Sequence, residues 1–360
     1  MRTVRWGFLG GGRIAATMAR AVRAAPSATL YAVASRDADR ARALEPEGVV
    51  YTVYEHLIAD PDVDAVYVAL ANDAHAEWTL AALAAGKTVL CEKPLGLNHA
   101  QARLMLAAGG LVAEALFYRW HPRIRLAERL VAEGAIGEVT DISSGFVFEW
   151  TGRPDNHRMH STRGGGALYD VGCYPISAAL WAFGGALPCD VGVQVVRGET
   201  GVDMAVEMLL AWPGGGTARL ECGFTTAHRE WLTVRGTEGR LVVPELPFTA
   251  SGGPTEICLE RAGQAAEVRV VPPVDPYQEM AEAFSAAVVG RPSWLQPHAD
   301  SLACASVIDR LREVGSWTGE IPGPVRAWTG VGGSRRDRLR ARPGPHPDAA
   351  PRDPVRPAGT

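Results

Sequence analysis

Six residues, Gly10-Gly11-Gly12-Arg13-Ile14-Ala15, restrict this chain more than any other stretch. They fit G-x-G-x-x-A and lie between an apolar run at residues 3–9 and an alanine-rich helical run, Ile14 to Ala25. At a strand-to-helix turn the first glycine permits a tight bend. The second lets backbone approach a pyrophosphate, and the small third residue lets the helix pack closely on the strand. The helix N-terminus then offers N–H groups and a positive dipole to an anion. The position of the motif favours a dinucleotide site over an ordinary glycine-rich bend. Gly10, Gly12, Arg13 and Ile14 are the residues expected to cradle the phosphates.

Strands and helices keep alternating after this turn. Leu30–Ser35, Val49–Thr52, Val63–Ala69, Thr88–Cys91 and Leu111–Leu116 read as strands. Ala38–Leu44, Ala76–Ala85 and Ala100–Ala108 read as helices between them. This alternation predicts a parallel sheet with right-handed crossovers. Past residue 120 the pattern changes. Val139–Trp150, Asp190–Arg197, Met204–Trp212, Thr217–Phe224 and Trp231–Val243 are long strand-like stretches, several parted by glycine-bearing turns. Arg123–Glu133, Cys173–Phe183, Tyr277–Val289 and Ala299–Glu313 read as helices.

The fold expected is α/β: an N-terminal Rossmann dinucleotide-binding domain over residues 1–120, then an α+β domain over 121–330. The second domain is expected to carry an open, mainly antiparallel sheet. An uncovered sheet face would expose apolar area, so a homodimer or homotetramer joined through that face is expected. Residues 331–360 are rich in Pro and Arg and poor in apolar side chains. They read as a disordered tail that cannot offset the entropy of ordering. A basic tail could touch an acidic partner, but this one reads as a functionless extension.

Composition narrows the function class. With 360 residues, 47% of them hydrophobic, the chain can bury two cores. The net charge of −4 is dispersed, with no basic stripe to follow nucleic acid. No apolar run approaches the roughly 18 residues of a membrane span. The first residues enter a strand-like run without the pattern of a signal peptide. The six cysteines are widely spaced and include no Cys-x-x-Cys, which suits reduced thiols in a cytoplasmic protein. The nine histidines offer no metal-ligand spacing, so no metal is expected.

The second strand ends at Ser35-Arg36-Asp37. NAD sites place a carboxylate there for the ribose 2′-OH, whereas an arginine accommodates the 2′-phosphate of NADP. Ser35 and Arg36 can both donate to phosphate oxygens, which favours NADP(H). Asp37 could instead meet an NAD ribose, so NAD(H) stays open.

Glu92-Lys93-Pro94 follows the strand Thr88–Cys91 at the end that faces the ligand crevice. Leu70-Ala71-Asn72-Asp73-Ala74-His75 follows the preceding strand and lines the same crevice. The run Gly164 to Pro175 places Asp170 and Tyr174 four apart at the opening of a helix, hence on one face. Read alone, Asp170 could be a helix N-terminal carboxylate and Tyr174 a packing residue.

Together these segments resemble the glucose–fructose oxidoreductase and inositol dehydrogenase (Gfo/Idh/MocA) family. The resemblance rests on the Gly10–Ala15 turn, Asn72 and His75, and Glu92-Lys93-Pro94. It extends to Tyr118-Arg119-Trp120-His121-Pro122, Glu133 to Gly137, and the Gly164–Pro175 run, in the family order. It implies an active site between a Rossmann domain and an open-sheet domain. Tyr174, where many members carry histidine, is similar to the branch of dihydrodiol dehydrogenases, NADP-dependent xylose dehydrogenases and sugar 3-ketoreductases. By that resemblance Lys93 and Tyr174 carry proton transfer with Asp170 close by. The Lys93 ammonium is expected to favour the ionised form of the Tyr174 phenol.

Ala71, Asn72, His75, Glu92, Lys93 and Arg119 are the further residues expected to bind the cofactor. Lys93, His121, Trp150, Arg158, His160, Asp170 and Tyr174 are the candidates for the substrate side. The function expected is hydride transfer to or from a CH–OH/C=O carbon of a sugar-like substrate, free or nucleotide-linked. A reductase for a trans-dihydrodiol or an imine is the rival enzyme reading. A cofactor-binding regulator without turnover is the rival of a different class.

Overall fold

The computed structural model describes residues 2–250 and 252–315. The tail expected at 331–360 lies outside the described residues. Six strands form a parallel sheet: β1 (Val4–Leu9), β2 (Ala28–Ala34), β3 (Val49–Tyr51), β4 (Ala65–Val68), β5 (Thr88–Glu92) and β6 (Val112–Ala115). Their spatial order is β3-β2-β1-β4-β5-β6. Helices α1 (Arg13–Ala24), α2 (Ala38–Arg42), α3 (Tyr54–Ala59), α4 (His75–Ala84) and α5 (His99–Ala107) connect them. β4 reads Ala-Val-Tyr-Val with every residue buried, as a strand covered on both faces must. Along α1, Ala15, Met18, Ala19 and Val22 form the buried stripe that a 3.6-residue period places on one side.

Strand order reverses between β1 and β4, so a crevice opens beyond their carboxyl ends. Gly10 sits there with φ of +108°, and a Cβ on it would lie 2.3 Å from the Ala69 carbonyl oxygen. Only glycine satisfies both conditions.

The second sheet has eight strands. After α6 (Pro122–Ala132) come β7 (Val139–Glu149), α7 (Cys173–Ala182), β8 (Asp190–Arg197), β9 (Asp203–Ala211) and β10 (Thr217–Gly223). Then follow β11 (Thr225–Gly236), β12 (Gly239–Val243), β13 (Thr255–Arg261) and β14 (Glu267–Val271). The order is β14-β13-β12-β11-β7-β10-β9-β8. β7 and β10 pair in parallel, and every other pair is antiparallel. The sequence reading omitted α3, β13 and β14. The two strands are short and carry charge at alternate positions, which weakens their apolar signal.

Alternation decides the two faces. Ile142, Phe146 and Phe148 of β7 point into the core, whereas Asp141 and Ser143 point out. The outward face is not the apolar patch expected. Arg235 pairs with Asp141 at 3.0 Å, Arg229 with Glu221 at 3.4 Å and Arg240 with Glu260 at 2.8 Å. Cross-strand charge therefore covers much of it, with Leu209, Val268 and Val270 as exposed apolar side chains.

The chain then returns to the first sheet. In α8 (Pro276–Val288), Phe284 packs on Trp6 with centroids 5.4 Å apart, and the Trp6 indole N–H donates to Ser285 at 3.1 Å. In α9 (His298–Val314), Asp309 accepts the His99 backbone N–H at 2.9 Å. The last two helices thus clasp the dinucleotide-binding half. No helix among the described residues is long and apolar enough to cross a membrane.

Candidate active site

The glycine turn is open where an anion would bind. A Cβ on Gly12 would meet nothing within 4 Å. Gly12 is the N-cap of α1, with no side-chain cap and no acidic residue in the first turn. Its N–H groups and dipole are left for an external anion, the fit a dinucleotide pyrophosphate requires. Arg13 and Ile14 form the first turn of that helix.

At the end of β2, Asp37 is committed elsewhere. It caps α2 by accepting the N–H groups of Asp39 and Arg40 at 3.0 and 3.2 Å. Its other oxygen lies 3.3 Å from the Arg40 guanidinium. Ser35 is buried and its hydroxyl accepts the Asp37 N–H at 3.2 Å, which leaves the hydroxyl proton to donate. Arg36 is exposed. Arg40, which the sequence reading passed over, lies against the turn: a Cβ on Gly11 would be 3.0 Å from its backbone.

Several motif residues hold loops together instead of facing the crevice. Asn72 donates its amide to the Gly164 carbonyl at 2.8 Å, joining the β4 loop to the glycine run of the second domain. Ala71 only leads into this turn. His75 is fully buried, 2.9 Å from the Pro94 carbonyl and 3.2 Å from that of Leu70. Burial pushes its pKa down, so the ring is neutral and its single N–H suits the nearer carbonyl. The Glu92 carboxylate turns inward and accepts the Tyr67 hydroxyl and the Lys93 N–H. Burial raises its pKa despite Lys93.

Arg119 requires the clearest correction. Its side chain is 1% exposed and bound to Glu128 at 3.0 Å and Asp300 at 3.1 Å. It ties the segment before α6 to α9 as a buried structural cation, with no surface toward a cofactor. His121 is likewise diverted. Its Nδ1 caps α6 by accepting the Arg123 N–H at 3.1 Å. Burial, with Arg123 alongside, pushes its pKa down to about 4. His160 is exposed, 3.3 Å from the Asp155 carbonyl. Trp150 is half-buried, with the Arg158 guanidinium 5.7 Å from its ring centre.

The chemistry-bearing groups converge where β5 ends and α7 begins. Residues Leu168–Gly172 form a π-helical turn running into α7, a distortion that re-aims side chains and recurs at functional sites. Lys93 Nζ donates to the Asp170 carbonyl at 2.6 Å and to its carboxylate at 3.2 Å. The other carboxylate oxygen accepts from Arg158 Nε at 2.7 Å. Burial alone would raise the Asp170 pKa, but Arg158 and Lys93 hold it well below the usual carboxylate range. Burial would lower Lys93, but Asp170, with Cys173 and Glu92 behind it, raises it above an ordinary lysine. Both groups are therefore charged at neutral pH.

Tyr174 is 4% exposed and ringed by Phe117, Tyr118, Phe146 and Phe248, with centroids 5.4 to 6.0 Å away. Lys93 Nζ is 5.4 Å from its ring centre. The expected depression of the phenol does not occur. Burial pushes its pKa well above 10, and Tyr277, Cys173, Glu92 and Asp170 add to the rise. The Lys93 charge is directed at Asp170, so the Tyr174 phenol stays neutral.

Two supports were missed in the sequence. Asp203, buried at the start of β9, accepts the Leu168 N–H at 2.6 Å and anchors the π-helical turn. Its carboxylate fills the space that a side chain on Gly166 would need. An acidic residue in an apolar strand was the available signal. Phe248 rides on a loop gripped from both sides. Arg123 donates to the carbonyls of Pro244, Glu245 and Leu246, and Glu230 accepts the N–H groups of Phe248 and Thr249. Glu245 and Leu246 have φ of 48° and 44°, an uncommon backbone for such residues that this double grip maintains.

Family models match both halves of the chain. Residues 4–109 match the model described as oxidoreductase family, NAD-binding Rossmann fold, and residues 124–242 match the GFO/IDH/MocA C-terminal domain. The chain is 33% identical over 289 residues to D-xylose 1-dehydrogenase (NADP(+)) 2 of Haloferax volcanii, covering 78% of this chain and 88% of that one. It is 31% identical over 245 residues to trans-1,2-dihydrobenzene-1,2-diol dehydrogenase of Sus scrofa, covering 66% and 72%. Among solved structures, KijD10, a 3-ketoreductase from Actinomadura kijaniata in complex with NADP and TDP-benzene, matches with a TM-score of 0.77. The identity there is 34%, covering 87% of this chain and 98% of that one. A Rossmann domain joined to an open-sheet domain, with lysine, aspartate and tyrosine at the junction, defines an NAD(P)-binding oxidoreductase. This chain belongs to the Gfo/Idh/MocA family.

The Arg119 assignment is testable. Arg119→Met should lower unfolding free energy by about 2–3 kcal/mol, under the roughly 3–5 expected when partners are fully buried, because Glu128 and Asp300 keep some water. Urea unfolding measures this loss. NADPH affinity by fluorescence titration should be unchanged, and a large weakening would restore Arg119 to the cofactor site.

Proposed function

We propose that this oxidoreductase uses NADP(H) and acts on the CH–OH/C=O carbon of a sugar-like ring, with Lys93, Asp170 and Tyr174 as its catalytic residues. One observation carries the reading: a buried, neutral Tyr174 phenol stands beside a Lys93 ammonium that Asp170 holds in place. Bound NADP(H) supplies or accepts the hydride. In reduction Tyr174 donates its proton to the carbonyl oxygen, and Lys93 polarises that oxygen as negative charge grows. A raised phenol pKa keeps that proton on Tyr174 across the neutral range.

For the cofactor, Arg36 and the Ser35 hydroxyl suit a 2′-phosphate. The capping duty of Asp37 removes the carboxylate that an NAD ribose would use. KijD10 was crystallised with NADP and TDP-benzene, which supports NADP and makes a nucleotide-linked keto sugar a substrate to test first. The aromatic ring set around Tyr174 supports a second reading, a flat substrate such as a dihydrodiol. A panel of keto sugars, polyols, dihydrodiols and imines, followed at the NADPH absorbance, separates these. Binding of NADPH with no turnover of any of them would favour the regulator. For assembly we propose a homodimer or homotetramer through the open sheet face, where Arg229 lies 4.2 Å over the Trp231 ring.

Lys93→Met and Tyr174→Phe should each lower kcat by about 10²–10⁴, the scale of general acid–base catalysis, with NADPH binding little altered. The double variant should be little worse than the poorer single one, because the pair acts as a unit. Reductive kcat should stay flat from about pH 6 to 9 and fall only above 10, as Tyr174 loses its proton. Retention of most activity in Tyr174→Phe, with hydride transfer rate-limiting, would reduce Tyr174 to packing.

Arg36→Ala should raise KM for NADP+ by roughly tenfold to a hundredfold and leave KM for NAD+ nearly unchanged. A wild-type preference for NAD+ in kcat/KM rejects the assignment. Light scattering should find a dimer or tetramer at micromolar concentration, and a clean monomer excludes the sheet-face assembly.

A further inference from the structure

We propose that Arg158 is a positioning residue that fixes the Asp170 carboxylate between two cations and so keeps Lys93 aimed at the reacting oxygen. It is not a substrate ligand. The proposal rests on the reading of Lys93, Asp170 and Tyr174 given above.

The geometry of Arg158 is set before any substrate arrives. Its backbone carbonyl accepts the Gly166 N–H at 2.9 Å, and its N–H donates to the Asn156 side chain at 3.0 Å. Gly165 packs so close that a Cβ there would lie 2.5 Å from the Arg158 carbonyl oxygen. The segment bearing Arg158 is therefore stitched to the glycine run that starts the catalytic turn. Its Nε points inward to Asp170 Oδ2 at 2.7 Å, and the side chains are only 20% and 10% exposed. Arg158 takes one carboxylate oxygen and Lys93 the other.

Sharing the carboxylate has a consequence. With Oδ2 occupied, Asp170 cannot rotate to take Lys93 with both oxygens. Lys93 has three N–H donors, and two go to Asp170. The third remains for a substrate oxygen. The titratable groups around Asp170 are Lys93 from the β5 loop, Arg158 and His157 from the loop after β7, Cys173 and Tyr174 from its own helix, and Cys222 from β10. Glu92 adjoins Lys93. Burial, with Arg158 beside it, pushes His157 down to about 4, so it is neutral. Arg158 and Lys93 face Asp170 as its two cations, and without Arg158 only Lys93 balances that carboxylate.

The test compares Arg158→Met and Arg158→Lys in wild type and in Asp170→Asn, using reduction of the best ketone from the panel. Arg158→Met should lower kcat about tenfold to a hundredfold, the loss of one buried charge-assisted bond, with KM little changed. An acid limb should appear at higher pH than in wild type, because Asp170 then has one cation against the same burial. Arg158→Lys should recover part of the loss. In Asp170→Asn, removal of Arg158 should change kcat little. A rise in KM with kcat intact makes Arg158 a substrate ligand and overturns the proposal. So do losses that simply add across the two backgrounds. A second readout needs no activity: acetylation of Lys93 by acetic anhydride at pH 8, followed by mass spectrometry. It should slow in Arg158→Met as Asp170 turns fully to Lys93, and an unchanged rate rejects the proposal. If Tyr174→Phe kept wild-type kcat, the proton-transfer reading would fail, while Lys93 labelling would still decide the role of Arg158.

Discussion

Burying an ammonium and a carboxylate strips each of hydration worth several kcal/mol, and their attraction repays this only with good geometry and further hydrogen bonds. Lys93 and Asp170 meet under that condition. Lys93 comes from the end of a parallel strand, and Asp170 from a π-helical turn in the other half of the molecule. Neither is tolerable in the crevice alone. Their contact therefore requires that the two halves hold one relation, and much of the structure secures it. Asn72 reaches Gly164 across the junction, Asp203 anchors the turn, and α8 and α9 clasp the first sheet.

Much of the fold was legible because its signals are local and periodic. The glycine turn, the apolar runs of β1 and β4, and the amphipathic α1 each follow from one backbone period and one close contact. β13 and β14 were not legible, because Glu267 and Arg269 interrupt a short strand whose apolar side chains point outward. At the site, motifs located loops but not side-chain directions. Asn72, His75, Glu92 and Arg119 all lie on segments that border the crevice, and each is bonded to protein groups. Their partners are separated from them in sequence by 92, 19, 25 and 9 residues, so short-range spacing could not reveal most of them.

The open sheet face departs from expectation for a related reason. Alternation correctly tells which residues point outward, but not whether they pair. Asp141, Glu221 and Glu260 lie on different strands from Arg235, Arg229 and Arg240, and only the register brings them together. A face so laced is stable toward water, since exposed pairs contribute little and lose little. In the assembly proposed above, shape and patches such as Trp231, not bulk apolar area, would seat the second copy.

The phenol shows why proximity does not by itself decide an acid–base role. An ammonium near a tyrosine lowers its pKa only if the charge is free to act on the oxygen. Here the Lys93 charge is directed at a carboxylate 3.2 Å away, and burial acts on Tyr174 unopposed. Around the phenol stand Lys93 and Arg158, positive, and Asp170, negative, with Glu92 behind Lys93. That arrangement leaves the buried phenol protonated. It nevertheless favours negative charge developing on a carbonyl oxygen brought into the crevice. The arrangement therefore suits a tyrosine that begins protonated and gives its proton up only as the substrate oxygen becomes basic enough to take it.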